Sequence, residues 1–258
     1  MNILAVGDIV GAGAREFLFR RLPALKRELF ANLCIVNGEN AAQGNGVDRE
    51  AAEDIFTAGA DIITTGNHVF QKKDIYEYLD ECPFIVRPAN YPNGVPGRGV
   101  CVSECGRIPI AVINLMGVCF IDPPLLNPFI TVDTVLAELP PEIRVIILDF
   151  HGEATSEKLA MAHYIDGRAS VMFGTHTHVQ TADEMIMPEG LGYITDIGMT
   201  GPKLSVIGID PMPVIEKFKT GMPKRFNTSV NKTVLNACLF EVDEKSGKTV
   251  GIKRIKAE

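Results

Sequence analysis

The sequence predicts an α/β fold in which helices cover the faces of a β-sheet. Short apolar runs with the length and composition of strands recur along the first two thirds of the chain. Most of them precede a longer segment whose apolar residues have helical spacing, and this alternation is typical of α/β proteins. The last third instead contains two hairpin-like pairs of runs, which indicates antiparallel strands, a mixed second sheet and a layered sandwich.

The elements of the first two thirds follow from these patterns in chain order. The predicted strands are Ile3–Val6, Leu33–Val36, Asp61–Thr65, Ile110–Leu115, Val145–Leu148 and Ser170–Phe173. The predicted helices are Glu16–Phe30, Asp48–Ala58, Lys73–Leu79, Val132–Leu139 and Ser156–Ile165. The first helix carries Leu18, Leu22 and Leu25 on one face. The second has Asp48 as its N-cap and Gly59 as its stop.

The last third contains two pairs of runs that are each joined by a turn. These pairs are Met185–Met187 with Tyr193–Thr195, and Thr233–Val242 with Thr249–Ile255. Two stretches rich in Pro and Gly, Arg87–Gly99 and Asp122–Pro128, are interpreted as ordered loops rather than linkers. Because no repeat or low-complexity tract divides the chain, the simplest prediction is one domain over residues 1–258.

The composition excludes several classes of protein. With 46% hydrophobic and 22% charged residues among 258, the chain is neither disordered nor collagen-like. A formal net charge of −7 argues against binding of polyanions by bulk charge, so a phosphate site would need a local positive field. The six cysteines form no zinc pattern, and no run resembles a secretory leader or a membrane span. We therefore expect a reduced, cytoplasmic protein without membrane contact.

Polar side chains with metal-binding chemistry follow five of the predicted strands. Because sites in open α/β sheets form at the carboxyl ends of strands, these side chains are expected to converge in one crevice. They include four of the five histidines and lie in the stretches Gly7–Asp8, Asn37–Asn40, Gly66–His68, Asp149–Gly152 and Gly174–His178.

The donor chemistry of this set favours a centre of two metal ions. Imidazole nitrogens with carboxylate and amide oxygens, and no thiolate, suit manganese, iron or zinc better than calcium or magnesium. The set is too large for one tetrahedral ion and fits two ions that share a carboxylate, which can clamp both oxygens of a phosphoryl displacement. A structural role is an alternative for each residue alone, but it does not explain the whole set.

Two other features receive less specific interpretations. His163 lies in the middle of a predicted helix and is interpreted as structural. The segment Lys217–Phe226 mixes basic and aromatic residues. It is either a contact for a nucleotide or RNA or a solvated surface loop, and the pattern favours the loop.

The order of these motifs resembles the metallophosphoesterase superfamily of calcineurin-like phosphoesterases and, within it, the bacterial YmdB family. Val10 stands where the first superfamily motif has a His, and Glu39 where the second has an Asp, and both departures fit the YmdB family. The resemblance extends from Met1 to the C-terminal hairpin, and its matching stretches are Gly7–Gly11, Val36–Ala42, Arg87–Asn90 and Thr195–Pro202.

This resemblance implies a four-layer α-β-β-α sandwich of two mixed sheets with a binuclear centre of iron or manganese, zinc being a further option. It implies a homo-oligomer that hydrolyses 2′,3′-cyclic nucleotides to 3′-monophosphates by in-line attack of a metal-bridging hydroxide. His68 would be the general acid that protonates the leaving ribose oxygen. One ion would be held by Asp8, Glu39, Asn40 and His178, and the other by Glu39, Asn67, His151 and His176.

Two alternative functions remain open at this point. A phosphomonoesterase or a nuclease would use the same centre and differ in its substrates. A regulatory module that binds a nucleotide or RNA without turnover would use the metals only to fix its ligand.

Overall fold

The computed structural model describes residues 1–43 and 45–258, and in that part of the chain strands and helices alternate as expected. The strands are Asn2–Val6 (β1), Asp8–Ile9 (β2), Leu33–Asn37 (β3), Ile62–Thr64 (β4), Ile85–Val86 (β5), Val100–Cys105 (β6), Ile108–Met116 (β7), Val145–His151 (β8), Val171–Thr175 (β9), Met185–Ile186 (β10), Gly192–Ile194 (β11), Met199–Pro202 (β12), Thr233–Val242 (β13) and Thr249–Ala257 (β14). The helices are Gly11–Glu28 (α1), Arg49–Thr57 (α2), Ile75–Glu81 (α3), Pro128–Glu138 (α4), Thr155–Ile165 (α5) and Pro211–Thr220 (α6).

The strands form two mixed sheets. In the first, β1, β3, β4 and β5 are parallel, and β13 runs antiparallel beside β1. The strands β14 and β12 pair with β13, and β2 pairs with β12. In the second sheet, β7, β8, β9 and β11 are parallel, with β6 and β10 as antiparallel edge strands. The C-terminal hairpin thus belongs to the first sheet, although its antiparallel strands pointed to a mixed second sheet.

Four layers follow from the alternation of apolar side chains along the strands. In β1, Leu4 and Val6 belong to the core under α1, α2 and α3, whereas Ile3 and Ala5 face the second sheet. The outer face of the second sheet packs against α4 and α5 through residues such as Val132. Alternate residues of a strand point to opposite faces of the sheet, and both sets are apolar here. Each sheet is therefore apolar on both faces, as expected for a sheet that is covered on both sides. The predicted four-layer α-β-β-α sandwich is confirmed.

Most predicted elements are present, and the differences have local causes. The predicted cap of α2 is confirmed, since the Asp48 side chain accepts a hydrogen bond from the Ala51 amide at 2.8 Å. The first helix begins at Gly11, earlier than predicted. Its first turn is built of small residues with little amphipathic pattern, so the sequence did not reveal this turn. The fourth begins at Pro128, where the Asn127 side chain caps it. The last residue of the predicted loop Asp122–Pro128 is therefore helical.

Helix α6 was not predicted, and it contains the first part of the segment Lys217–Phe226. Asp210 caps its start, Pro211 occupies its first position, and Gly221 ends it with a φ of 70°. The whole of Lys217–Phe226 is exposed. No helix in residues 1–43 or 45–258 combines the length and apolar character needed to cross a bilayer. The assignment of residues 1–258 to one domain stays a prediction.

Candidate metal centre

The carboxyl ends of the central strands of both sheets meet at one rim of the sandwich. From the first sheet, Asp8 lies in β2 directly after β1, and Glu39 and Asn67 follow β3 and β4. From the second, His151 is the last residue of β8, and His176 comes directly after β9. All eight site residues predicted from the sequence are brought together there: Asp8, Glu39, Asn40, Asn67, His68, His151, His176 and His178.

Glu39 lies between the two sheets and contacts both. Its Oε2 is 3.2 Å from His151 Nε2, and its Oε1 is 3.2 Å from His68 Nδ1. Its Oε1 also accepts a hydrogen bond from Asn40 Nδ2 at 3.0 Å. A Cβ at Gly66 would collide with both Glu39 and His151, so this glycine leaves the space in which they meet.

A second group of contacts surrounds His151 Nε2. Asn67 Oδ1 and His176 Nδ1 each lie 3.1 Å from that nitrogen. Donor atoms of Glu39, His151 and His176 all lie within 4.8 Å of one another, so a single cation could bind all three. These are the residues that the family resemblance groups, with Asn67, around one ion.

The other predicted ligands form a looser group on the far side of Glu39. His178 Nε2 lies 3.7 Å from Asp8 Oδ1 and 3.3 Å from Asn40 Nδ2. The Asn40 amide directs its Oδ1 to His68 Nδ1 at 3.0 Å, so ligation through this oxygen requires the amide to rotate. Asp8 and Glu39 are completely buried, and Asn40 is nearly so.

Each of the three histidines from the second sheet has an outward partner for one ring nitrogen. His178 Nδ1 donates to the Ile207 carbonyl at 2.9 Å, and His176 Nε2 contacts the Glu153 carboxylate at 3.2 Å. A carbonyl or carboxylate only accepts, so the nitrogen facing it carries the hydrogen. The other nitrogen of each ring therefore turns its lone pair towards Asp8 or His151.

The orientation of His151 is set by a longer chain. Thr175 Oγ1 donates to Asp149 Oδ1 at 2.7 Å and accepts from His151 Nδ1 at 2.9 Å. Asp149 also accepts from Asn37 Nδ2 and from the Thr64 hydroxyl, so its carboxylate is held from three sides. As a result His151 directs Nε2 into the centre. Backing of a metal-binding imidazole by a carboxylate, directly or through a hydroxyl, is a common feature of protein metal sites.

Sequence reasoning missed the residues that orient the histidines, namely Thr175, Asp149 and Glu153. Asp149 and Glu153 each lie two residues from His151, and Thr175 directly precedes His176. Their nearness to predicted ligands was the available signal, but it did not distinguish them from residues that merely end a strand. His163 lies on the exposed side of α5, away from this rim.

The pKa values describe how the metal-free centre distributes its protons. Burial raises the pKa of Asp8 to about 6, against the influence of His178 and His151. Burial opposes ionisation of Glu39 too, but His151 and His68 hold its pKa well below its usual range. Burial lowers the pKa of His151, yet Glu39, Asp8 and Asp149 outweigh it and raise this pKa to about 9.

His176 has the opposite shift. Its burial and the charge of His151 lower its pKa to about 3. At neutral pH the His151 ring is thus cationic and donates from Nε2, whereas the neutral His176 ring accepts at Nδ1. A proton in the metal-free molecule occupies the position where ring nitrogens and the Glu39 carboxylate converge. A cation replacing that proton would meet the same donors.

The residues present fit a divalent metal centre. One oxygen of the buried Asp8 carboxylate, Oδ1, has no hydrogen-bond partner among the described residues. A buried carboxylate oxygen without a donor requires compensation by a positive charge. The inward donors are imidazole nitrogens, carboxylate oxygens and amide oxygens, a set that transition metals prefer.

Comparisons with known proteins show the family of this chain. The sequence profile of the family described as YmdB-like protein matches residues 4–255. This chain belongs to the YmdB-like family. The family is one of metallophosphoesterases, and the chain is an enzyme of that kind.

Individual relatives cover nearly the whole chain. A protein of Bacillus subtilis named 2′,3′-cyclic-nucleotide 2′-phosphodiesterase is 46% identical over 255 residues, 99% of this chain and 96% of its own. The crystal structure of a phosphatase from Mycoplasma pneumoniae has a TM-score of 0.94 at 35% identity and covers 100% of this chain and 93% of its own. A hypothetical protein of Thermus thermophilus has a TM-score of 0.93 at 38% identity, with 100% and 99% covered.

Proposed function

We propose that this chain is a metal-dependent phosphodiesterase that hydrolyses 2′,3′-cyclic nucleotides to nucleoside 3′-monophosphates. The observation that carries the proposal is that donor atoms of Glu39, His151 and His176 lie within 4.8 Å of one another, with each ring held from behind by another residue. The name of the Bacillus subtilis relative supports the substrate class.

In this proposal, two sets of residues hold two divalent ions and share Glu39. One set is Asp8, Glu39, Asn40 and His178, and the other is Glu39, Asn67, His151 and His176. When bound, such ions act as Lewis acids on phosphoryl oxygens and supply a hydroxide nucleophile at neutral pH. Iron or manganese is the proposed metal and zinc the alternative, since all three accept imidazole with carboxylate donors.

His68 is proposed as the general acid because its ring is fixed on one side and accessible on the other. Its Nδ1 faces Asn40 Oδ1 at 3.0 Å and Glu39 Oε1 at 3.2 Å. Its Nε2 points away from Glu39, with Asn45 Nδ2 3.4 Å away, and the side chain is 23% exposed. When the ring is protonated on both nitrogens, Nδ1 keeps its hydrogen towards Asn40 and Glu39, and Nε2 can give its proton to the 2′ oxygen as the bond between phosphorus and that oxygen breaks.

The experiment that tests this function follows 2′,3′-cyclic AMP by phosphorus NMR. The purified chain is loaded with Fe(II) under anaerobic conditions or with Mn(II), and bound metal is counted per chain. We expect metal-dependent conversion to the 3′-monophosphate alone. Conversion to the 2′-monophosphate would contradict the assignment of the 2′ oxygen as the leaving group.

A second arm of the experiment separates the alternatives. Absence of conversion in a chain that holds two ions would exclude this substrate class and favour a phosphomonoesterase, a nuclease or a binding module. A panel of nitrophenyl monoesters, nitrophenyl diesters and single-stranded RNA would then distinguish the two enzymes from the binding module. The cytoplasmic location, the homo-oligomer and any contact with RNA stay predictions.

A further inference from the structure

Two of the histidines at the centre have a backbone conformation that is unusual for any residue with a side chain. His176 has a φ of 95° and His178 a φ of 65°. Only glycine adopts this region without strain, so the surrounding structure must hold these residues in it. Both belong to the turn Gly174–His178, which begins in the last two residues of β9 and delivers their ring nitrogens to the centre.

The turn is held by a single carboxylate that lies beneath it. Asp196 Oδ2 accepts hydrogen bonds from the Thr177 amide at 3.1 Å and from Thr177 Oγ1 at 2.8 Å. Thr177 is the residue between the two histidines. Fixing its amide and side chain to one buried point determines the direction in which the backbone leaves His176 and enters His178.

A buried lysine completes this support. Lys158 of α5 is fully buried, and its Nζ donates to Asp196 Oδ2 at 2.9 Å and to the Thr175 carbonyl at 2.8 Å. The lysine and the carboxylate thus fix the residues on both sides of His176. A buried ion pair often adds little stability compared with a well-packed apolar pair, so stability alone does not explain its presence here.

The same carboxylate reaches the Asp8 side of the centre. Asp196 Oδ1 accepts from the Gly198 amide at 2.8 Å, and the Gly198 carbonyl accepts from the Asp8 amide at 3.2 Å. A Cβ at Gly7 would collide with the Gly198 carbonyl, so the two backbones are in close approach. One buried side chain is therefore linked to Asp8 and to His176 and His178, although Asp8 is 168 residues from His176 in the chain.

We infer that the buried pair of Lys158 and Asp196 positions His176, His178 and Asp8 for metal binding. The pair touches neither substrate nor metal and acts through the Gly174–His178 turn and the backbone at Gly198. This inference rests on the proposed metal centre. It assigns a positioning role to two residues that were not among the predicted site residues.

The test measures metal binding directly rather than turnover alone. The variants are Lys158→Met, Asp196→Asn and the double variant, together with Thr177→Val, which removes only one hydrogen bond to Asp196. The dissociation constants for Mn(II) are measured by calorimetry, and the visible spectrum of the Co(II) form reports ligand geometry. Unfolding is followed by circular dichroism, so that binding is compared among folded proteins.

We expect the double variant to bind metal about 10- to 100-fold more weakly, the usual range when support of a metal ligand is removed. Its Co(II) spectrum should change, and kcat should fall more than KM rises. Thr177→Val should show a smaller shift in the same direction. Two controls are Leu22→Ala, which destabilises the distant core under α1, and Lys203→Met with Glu258→Gln, an exposed ion pair.

Several outcomes would decide the matter. If the double variant regains the stability lost in Lys158→Met and also binds metal as the wild type does, the pair only balances charge and the inference is wrong. If Leu22→Ala weakens metal binding as much as the double variant, stability explains the effect and the inference is also wrong. A wild-type chain that binds no metal would refute the proposed centre itself, a failure seen before any variant is made.

Discussion

The first sheet supplies oxygen donors and His68 to the candidate centre, whereas the second sheet supplies only ring nitrogens from ligand side chains. Hydrogen bonds fix the main chain of the oxygen donors. Asn37 Oδ1 accepts from the Glu39 amide at 3.1 Å, and the Asn40 carbonyl accepts from the Gly11 amide at 2.9 Å. The rings of His151 and His176 depend instead on other side chains, namely Thr175 with Asp149 for His151 and Glu153 for His176.

This difference has a chemical cause. A carboxylate has two equivalent oxygens and presents one of them whichever way it turns, so its backbone position nearly suffices. An imidazole has two unlike nitrogens, and a ligand ring must keep its hydrogen on the outer one. Each histidine at a metal site therefore needs a second residue. Thr175 and Asp149 of the second sheet, Glu153 after β8 and the Ile207 carbonyl act in this way, and changes in the two halves should have different effects.

The largest effect is expected for Glu39→Gln, because Glu39 is the ligand that the two proposed sets share. Loss of its negative charge should reduce turnover by about 1,000-fold or more and lower the metal content per chain. Turnover and bound metal are measured together, with the exposed Glu142→Gln as the matched control. Nearly normal turnover with both ions retained would contradict the shared role of Glu39.

His68→Ala should spare the metal and reduce the rate. With a ribose leaving group we expect a loss of about 100- to 10,000-fold, the range for a missing general acid. A nitrophenolate needs no proton, so the loss with a nitrophenyl diester should be much smaller. Equal losses with the two leaving groups would remove His68 from this role.

The pH dependence of the free energy of unfolding should differ between the metal-free and the metal-bound protein, because of His151 in the second sheet. Because Glu39 and other carboxylates raise the pKa of His151 from 6.5 to about 9, the protonated ring stabilises the metal-free fold below pH 6.5. That contribution, about 3 kcal/mol, should be lost as the pH rises from 6.5 to 9.

Urea denaturation with a chelator present measures this change, and His151→Gln should remove most of it. With excess Mn(II) the trend should reverse, since a bound cation needs the nitrogen without its proton. A metal-free protein whose stability is constant over this range would contradict the charged state assigned to His151.

The smallest effect is expected for Glu153→Gln. Glu153 orients His176 from the outside, but its side chain is 49% exposed, and water can replace it. We expect metal binding to weaken by about 10-fold, the lower end of the range for residues that support a ligand. Calorimetric titration with Mn(II) tests this, again with Glu142→Gln as control. A loss as large as that of Glu39→Gln would indicate direct ligation by Glu153.

Some of these features could be predicted from the sequence because they depend on neighbouring residues. The alternation in β1 and the helical spacing of Leu18 and Leu22 follow from local geometry, as does the cap at Asp48. Each predicted site residue lies in, or a few residues beyond, a strand end, so strand order alone brought these residues to one rim. The start of α1 and the whole of α6 were not predicted. Small residues in α1, and the mixture of polar and apolar residues in α6, hide the helical spacing of apolar side chains.

The sequence by itself predicted the alternating strands and helices of an α/β fold and the eight polar residues near strand ends, since hydrophobic period and residue type are both properties of short segments. Only the tertiary structure decided which residues hold those eight in place. Lys158 and Asp196 are 38 residues apart, and Asp8 is 168 residues from His176. Contacts of this kind depend on how sheets and helices pack together. A buried polar group forms hydrogen bonds with whichever groups the packing of distant segments brings near it. The local sequence does not encode those partners.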